Sequence, residues 1–344
     1  MANIYAMHRF PTGFSGSKTA CVMLFSVFSA ALGFMNNSEK STVTEFVLLG
    51  FPGGQEMQIF LFSLFFGVYI FTMMGNGTIV CAVRWDQRLH TPMYILLGNF
   101  AFLGIWYITS TVPSMLANIL SETKTISFAG CFLQFYFFTS LGTTETYLLC
   151  VMAYDRYLAI CRPLHYPTIV TLQLCYILMF LCWVFGFLSY SVSTVQLSQL
   201  SFCGPNIIDH FVCDIDPLMS LSCAPAPNTE IVFYILSSLI ILLTLLYILG
   251  SYTLLLIAVL KVPSAAGRQK AFSTCGSHLT VVCLFFGALL AMYFSPTSDN
   301  PAELQKIITL FYSVVTPFLN PLIYSLRNKE MKAALKKVLR IEGA

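Results

Sequence analysis

The sequence predicts an all-α bundle of seven membrane-spanning helices, with an extracellular N-terminus and a short amphipathic C-terminal helix. Three observations predict it. Of 344 residues, 57% are hydrophobic and only 10% charged, against about 25% charged in a soluble domain, so the apolar surface has no place in water. Seven apolar runs, roughly 59–83, 93–120, 126–153, 172–195, 231–260, 271–294 and 307–326, each reach the ~20 residues that cross a hydrocarbon core. The basic residues also sort by side. Arg84, Arg88, Arg156, Arg162, Lys261, Arg268 and Lys270 occupy alternate connections, and Arg327, Lys329, Lys332, Lys336, Lys337 and Arg340 follow the last run, whereas the opposite side, leaving aside residues 1–34, carries only Lys40, Lys124 and Lys306. The positive side is cytoplasmic.

Residues 1–34 hold Arg9 and Lys18 ahead of the apolar stretch Ala20–Phe34. Two readings fit: a signal-like segment, or an extension upstream of an internal start at Met35. Residues 35–58 form the extracellular N-terminus, with a glycosylation sequon at Asn36. Asn76-Gly77-Thr78 has the same form but lies inside the first apolar run, out of reach of the glycosylation machinery. The membrane-spanning body occupies 59–326, with short connections and no repeat. Pro113, Pro317 and Pro321 fall within runs, where neighbours and water re-satisfy the freed backbone groups.

The third run carries the densest chemistry. Met152–Cys161 reads Met-Ala-Tyr-Asp-Arg-Tyr-Leu-Ala-Ile-Cys. An Asp-Arg pair is costly inside a bilayer and cheap at its edge, so Asp155 and Arg156 mark where the helix leaves the membrane. Glu145 lies about three turns, roughly 16 Å, before Arg156, and Cys131 lies roughly 37 Å before it. One helix thus carries an outer cysteine, a mid-membrane acid and an inner ion pair. Cys203, Cys213 and Cys223 lie in the long connection 196–230. Four cysteines on the oxidising side allow two bridges, with three pairings open from sequence alone. The tail 327–344 is cytoplasmic. Its Met331, Leu335, Val338 and Leu339, interleaved with lysines, predict an amphipathic helix on the anionic inner leaflet, with membrane lipids as partners.

Six ordered stretches carry a family resemblance: Gly75-Asn76; Leu89-His90-Thr91-Pro92-Met93-Tyr94; Met152–Cys161; Ser251-Tyr252; the run from Lys270 to Leu279; and the run from Pro317 to Asn328. Over about residues 41–340 the chain resembles the vertebrate olfactory (odorant) receptors, a branch of the rhodopsin-like (class A) G-protein-coupled receptors. The resemblance implies bridges Cys131–Cys213 and Cys203–Cys223. It implies a small volatile odorant bound in the outer half of the bundle, and a heterotrimeric G protein of the stimulatory, olfactory type that raises cAMP. Candidate ligand-binding residues are Phe138, Thr139, Gly142, Thr143, Phe233, Ser237, Tyr293 and Ser313. Phe138, Gly142 and Glu145 share a face at offsets of four and three, and Gly142 is expected to leave room beside the backbone. The implied coupling switch comprises Asp155, Arg156 and Tyr157 with Asn320, Pro321 and Tyr324.

The chain departs from the family pattern at three places. Gly104 stands where the family carries an acid, and Ala101 where a serine is frequent. Glu145 is therefore expected to lack a partner, which argues against the mid-membrane sodium site. Span six reads Phe285-Phe286-Gly287 in place of Phe-Tyr-Gly, one hydroxyl fewer. His210-Phe211-Val212-Cys213 matches a pattern proposed to hold copper in some odorant receptors, but an oxidised Cys213 has no thiolate to offer.

No metal cluster, phosphate loop or nucleophile constellation points to an enzyme, and no cofactor is called for. Basic residues scattered over short loops exclude nucleic-acid binding. On composition alone a membrane transporter or channel is the alternative, but it would show inverted repeats or several intramembrane charges. Within the family, the alternative is an ectopic or weakly signalling chemoreceptor. Plasma-membrane, multi-pass localisation follows from either.

Overall fold

A computed structural model describes residues 43–261, 263–294, 301–327 and 330–335; Asn36 and the segment 1–34 lie outside them. Seven long helices form the bundle: α1 Gln55–Trp85, α2 Pro92–Leu120, α3 Phe128–Cys161, α4 Leu172–Ser198, α5 Pro227–Leu260, α6 Ala265–Phe294, and α7, which joins Pro301–Leu310, a π-helical turn Phe311–Val315 and Thr316–Arg327. Local chemistry sets several starts. Ser127 Oγ accepts from Gly130 N at 3.1 Å to cap α3, Thr171 caps α4 by accepting from Leu174 N, and prolines open α2 and α5, where a missing N–H costs nothing.

The helices overrun the apolar runs. α3 continues through Cys161, well past residue 153, and α6 begins at Ala265. Hydrocarbon limits an apolar run, but capping and turn residues limit a helix.

Six of the seven helices are apolar enough to span a membrane by composition. The seventh, α3, sits in the middle. It packs against α2, α4, α5 and α6 and buries Gln134, Ser140, Thr143, Thr144, Glu145, Thr146, Asp155 and Arg156. The periphery shows the reverse, with Phe60, Phe71 and Met74 of α1 and Leu243 and Leu260 of α5 exposed. Large apolar side chains facing outward and polar ones inward suit a bundle whose solvent is lipid. The α3–α4 crossing is close enough that a Cβ on Gly186 would sit 2.0 Å from Thr144 Oγ1 and 3.1 Å from Ser140 O. Small residues at such crossings let the backbones approach.

A small sheet caps one end of the bundle. β1 (Glu45–Leu48) pairs antiparallel with β2 (Thr125–Ser127) and parallel with β3 (Ile207–Ile208). Phe46 is fully buried beneath it, with the rings of Phe128 and Phe202 at 5.9 and 5.5 Å. The α4–α5 connection is stapled across the same end by Cys131–Cys213 and closed on itself by Cys203–Cys223. At the other end, Met331 and Ala334 of the tail helix are buried against the main core.

Candidate functional site

Three layers of α3 organise the polar interior. The first lies near the disulfides. Gln134 fixes the roof there: its Oε1 accepts from Cys213 N at 3.0 Å while its Nε2 donates to Ser110 O of α2. Phe138 is buried between Tyr107 of α2 and Tyr312 of α7, at ring distances of 5.5 and 5.7 Å. Gly142 does not open free space as expected, because a Cβ there would meet Tyr107 Oη at 3.2 Å. The glycine instead makes room for a tyrosine hydroxyl. Thr139 Oγ1 donates to its own helix at Phe135 O, and Thr143 is buried. Phe233 of α5 packs on Phe135 and Tyr190, and Ser237 shares a 2.7 Å hydrogen bond with the Tyr190 hydroxyl. Ser313 sits fully buried in the π turn of α7, and its Oγ, like Thr309 Oγ1, has no partner among the described residues. π turns of this kind occur often at functional sites. Tyr293 belongs to α6, and its side chain lies outside the described residues.

The roof over this layer is tied to α5 and α7 as well as α3. Lys306 of α7 donates to Asp209 at 2.7 Å and to Glu303 at 3.0 Å. Asp216 accepts from Tyr234 of α5 and from Gln305 of α7. His210 is buried, stacked on Phe211, and its Nδ1 accepts from Val212 N at 3.1 Å. Burial, reinforced by the nearby Lys306 ammonium, lowers its pKa to about 4. The copper pattern gains no support, since Cys213 is a disulfide sulfur and no group of three His, Cys, Asp or Glu able to hold a metal ion occurs among the described residues.

The second layer is the mid-bundle junction of α1, α2, α3 and α7. Pro321 has no N–H to offer the carbonyl four residues back, that of Pro317. Asn76 of α1 fills the gap: its Nδ2 donates to Pro317 O at 3.2 Å and to Thr72 O at 3.0 Å. Gly75 lets the helices close, since a Cβ there would meet Pro321 Cβ at 3.1 Å. Glu145 is 2% exposed; Gly104 brings no acid to it, and Asn320 of α7 is its polar neighbour. The sequence hid this because α7 comes beside α3 only in the folded bundle.

The place where Gly104 would carry a side chain is bordered by the Asn76 amide, with Nδ2 and Oδ1 both at 3.5 Å from a built Cβ, and Ala101 is buried without a side-chain oxygen. The side-chain oxygens at the junction are the Glu145 carboxyl, Asn76 Oδ1, whose amide is engaged through Nδ2 alone, and Asn320 Oδ1, which has no partner among the described residues.

The third layer lies at the opposite end. Arg156 is buried and paired in-chain with Asp155. The second oxygen of Asp155 accepts from Tyr166 Oη at 2.7 Å, a residue of the short helix Tyr166–Ile169. Burial first, and the adjacent Asp155 carboxylate second, raise the Tyr166 pKa, which keeps the hydroxyl a donor. Tyr157 is half-buried against the main core. Beside the ion pair, His278 of α6 bridges α3 and α5: its Nε2 lies 3.2 Å from Leu149 O and its Nδ1 2.5 Å from Tyr252 Oη. Tyr324 is buried against Phe100, and its hydroxyl has no partner among the described residues. Tyr166 and Tyr107 were not singled out from sequence, because no local spacing signals them; Tyr252 and His278 lie in two of the stretches that carry the resemblance, but their pairing shows only in the folded bundle.

Comparison with known proteins agrees with this architecture. Residues 65–341 match the model of the family described as olfactory receptor. Human olfactory receptor 11H6 is 67% identical over 317 residues, covering 92% of this chain and 96% of the relative. Human olfactory receptor 11G2 is 64% identical over 304 residues, 88% of each chain. The crystal structure of squid rhodopsin superposes with a TM-score of 0.69 at 15% identity, over 84% of this chain and 82% of that one. The chain therefore belongs to the olfactory receptor family and shares the fold of rhodopsin, as a multi-pass plasma-membrane protein and not an enzyme.

Proposed function

We propose that the protein is an odorant receptor whose ligand, a small volatile molecule, lodges between the helices near the disulfide end, against Phe138, Thr139, Gly142, Thr143, Phe233, Ser237, Tyr293 and Ser313. The disulfide end faces outside and the Arg156 end faces the cytoplasm. Two bridges need an oxidising compartment, and the basic residues gather at the Arg156 end. The observation that carries the reading is the continuity of α3, one helix from Cys131 to Arg156, with buried polar groups along its length. Walls of aromatic rings with a few hydroxyls suit a small, weakly polar molecule.

Binding acts as a population shift: the odorant prefers an arrangement in which the Arg156 end is open. Asp155, Arg156 and Tyr157, with Asn320, Pro321 and Tyr324, then present a surface to a stimulatory, olfactory-type G protein, and cAMP rises. The test is a cAMP screen of the surface-displayed receptor against a chemically diverse volatile panel, repeated with Arg156→Ala. An odorant-evoked rise that Arg156→Ala abolishes at unchanged surface display is expected. A response that survives the substitution removes Arg156 from the mechanism.

A further inference from the structure

We infer that Gln134 is a positioning residue for ligand recognition. Without touching the ligand, it sets the direction of the 210–213 segment over the pocket and the place of the α2 wall beside it. This deepens the ligand reading proposed above and rests on it.

The Cys131–Cys213 bridge holds the α4–α5 connection to α3 at one point, and one point leaves a segment free to swivel. Gln134 supplies the second. It is buried and lies three residues beyond Cys131, on the same face of α3. Its Oε1 accepts from the backbone N–H of Cys213 at 3.0 Å, the residue that carries the bridge. Cys213 is fully buried, so losing this acceptor would strand a backbone donor in an apolar interior. Two attachments one turn apart fix how the chain runs from His210 to Cys213. That direction presses Phe211 and Val212 against Ile108, Val112 and Met115 of α2 and Val314 of α7.

The other half of the amide faces α2. Its Nε2 donates to Ser110 O at 3.3 Å, in the helix turn from which Pro113 removes a donor. One turn before Ser110 stands Tyr107, whose carbonyl accepts from Ser110 Oγ. Its ring packs on Phe138 and its hydroxyl takes the space beside Gly142. Phe138 itself is one turn beyond Gln134 on α3. A single side chain therefore joins the roof, α3 and the Tyr107 wall of the proposed pocket. The job needs an acceptor and a donor in one planar fork, which a primary amide has; a carboxylate only accepts, and Met has no donor. A roof released from Gln134 would let the pocket lengthen along α3, so ligands would be sorted less sharply by length.

The experiment compares Gln134→Met and Gln134→Glu with the native full-length receptor. Hydrogen exchange is read on the purified, ligand-free protein. Odorant-evoked cAMP is read in cells, with straight-chain volatile aldehydes of increasing length, or homologues of whichever panel member activates. Gln134→Met should speed exchange in 209–213 and raise EC50 about tenfold, the worth of roughly one buried hydrogen bond, at unchanged maximal response. It should also flatten the dependence of EC50 on chain length, which a general loss of folded receptor would not do. Gln134→Glu keeps an acceptor for Cys213 N, so slow exchange and most of the sensitivity should return. Native exchange in Gln134→Met overturns the inference. So does faster exchange with the native EC50 at every length, which makes Gln134 a structural peg alone. If Gln134→Met does not reach the surface, Gln134→Asn, one methylene shorter and unable to span both partners, is judged by the same two criteria. If no volatile activates the native receptor, the ligand reading fails and the role in recognition falls with it, while exchange separately decides the hold on the roof.

Discussion

The two ends of the bundle are held by different kinds of bond. At one end the connection between α4 and α5 is covalently stapled to α3, hydrogen-bonded into a three-stranded sheet and clasped to α7 through Lys306. At the other, α3, α5 and α6 meet through single side-chain hydrogen bonds at Tyr252, His278 and Leu149, and among the described residues Arg156 is paired with its own sequence neighbour. Disulfides do not exchange on the timescale of signalling, whereas a side-chain hydrogen bond nets only about 1 kcal/mol. On the proposed population shift, the Arg156 end is the one expected to open while the roof stays in place. A molecule built to move at one end needs the other as an anchor.

The largest test of that contrast is to cut the staple. Cys131→Ser removes a bridge between residues 82 apart in sequence, and losses of 2–5 kcal/mol, roughly, accompany removal of such bridges. Surface display and thermal stability should both collapse. Cys161→Ser, a free thiol at the Arg156 end, should change stability by no more than about 0.5 kcal/mol. Equal effects of the two substitutions would erase the distinction between the ends.

His210 provides a second, smaller test at the same end. In the folded loop its pKa is about 4, against an ordinary value of 6.5. Between those values the unfolded chain takes up a proton that the folded loop refuses, so stability falls as pH drops from about 6.5 to about 4 and is complete above that window. The lowered value corresponds to roughly 3 kcal/mol. A protonated Nδ1 can no longer accept from Val212 N, so the loss should appear as increased hydrogen exchange around 209–213, with α3 and α6 at the Arg156 end unaffected. His210→Phe should flatten the pH profile. A profile unchanged by that substitution would assign the acid sensitivity to another group.

Much of this architecture was legible in the residues, for physical reasons that differ by region. The seven spans could be read because lipid imposes a length and a composition on each. The Asp155–Arg156 pair could be read because two adjacent opposite charges in an apolar helix have each other as the nearest partner, and they are paired. That Asn320 comes beside Glu145 could not be read, since it lies 175 positions away and only packing brings it near. The Pro317 carbonyl was half legible: a proline at 321 guarantees an orphan four residues earlier, but nothing in the sequence says that Asn76 will meet it. Gly142 shows the same limit. Its small size was visible, whereas the Tyr107 hydroxyl that uses the space comes from another helix. Backbone rules reach about four residues, and side-chain partners across helices lie beyond that reach.

The mildest test belongs to the Arg156 end and asks whether its single hydrogen bonds set the resting balance. Tyr166 donates to the Asp155 oxygen at 2.7 Å from a short helix outside the bundle, and Asp155 in turn holds Arg156. Tyr166→Phe keeps the ring and removes the donor. The bond reaches a charged acceptor, but Tyr166 is only half-buried, so water replaces part of it and a net loss of about 1 kcal/mol is expected. That loss falls on the closed arrangement alone if Arg156 leaves Asp155 on opening, and it should raise ligand-free nucleotide exchange on the partner G protein about fivefold at unchanged surface display. The same substitution should leave hydrogen exchange in the sheet and in residues 209–213 untouched, because the staple isolates the roof. A rise in exchange at the roof would show the two ends to be mechanically continuous. Unchanged basal activity would mean that the Asp155–Arg156 pair holds without Tyr166, and that the resting state depends on the Tyr252–His278 contacts instead.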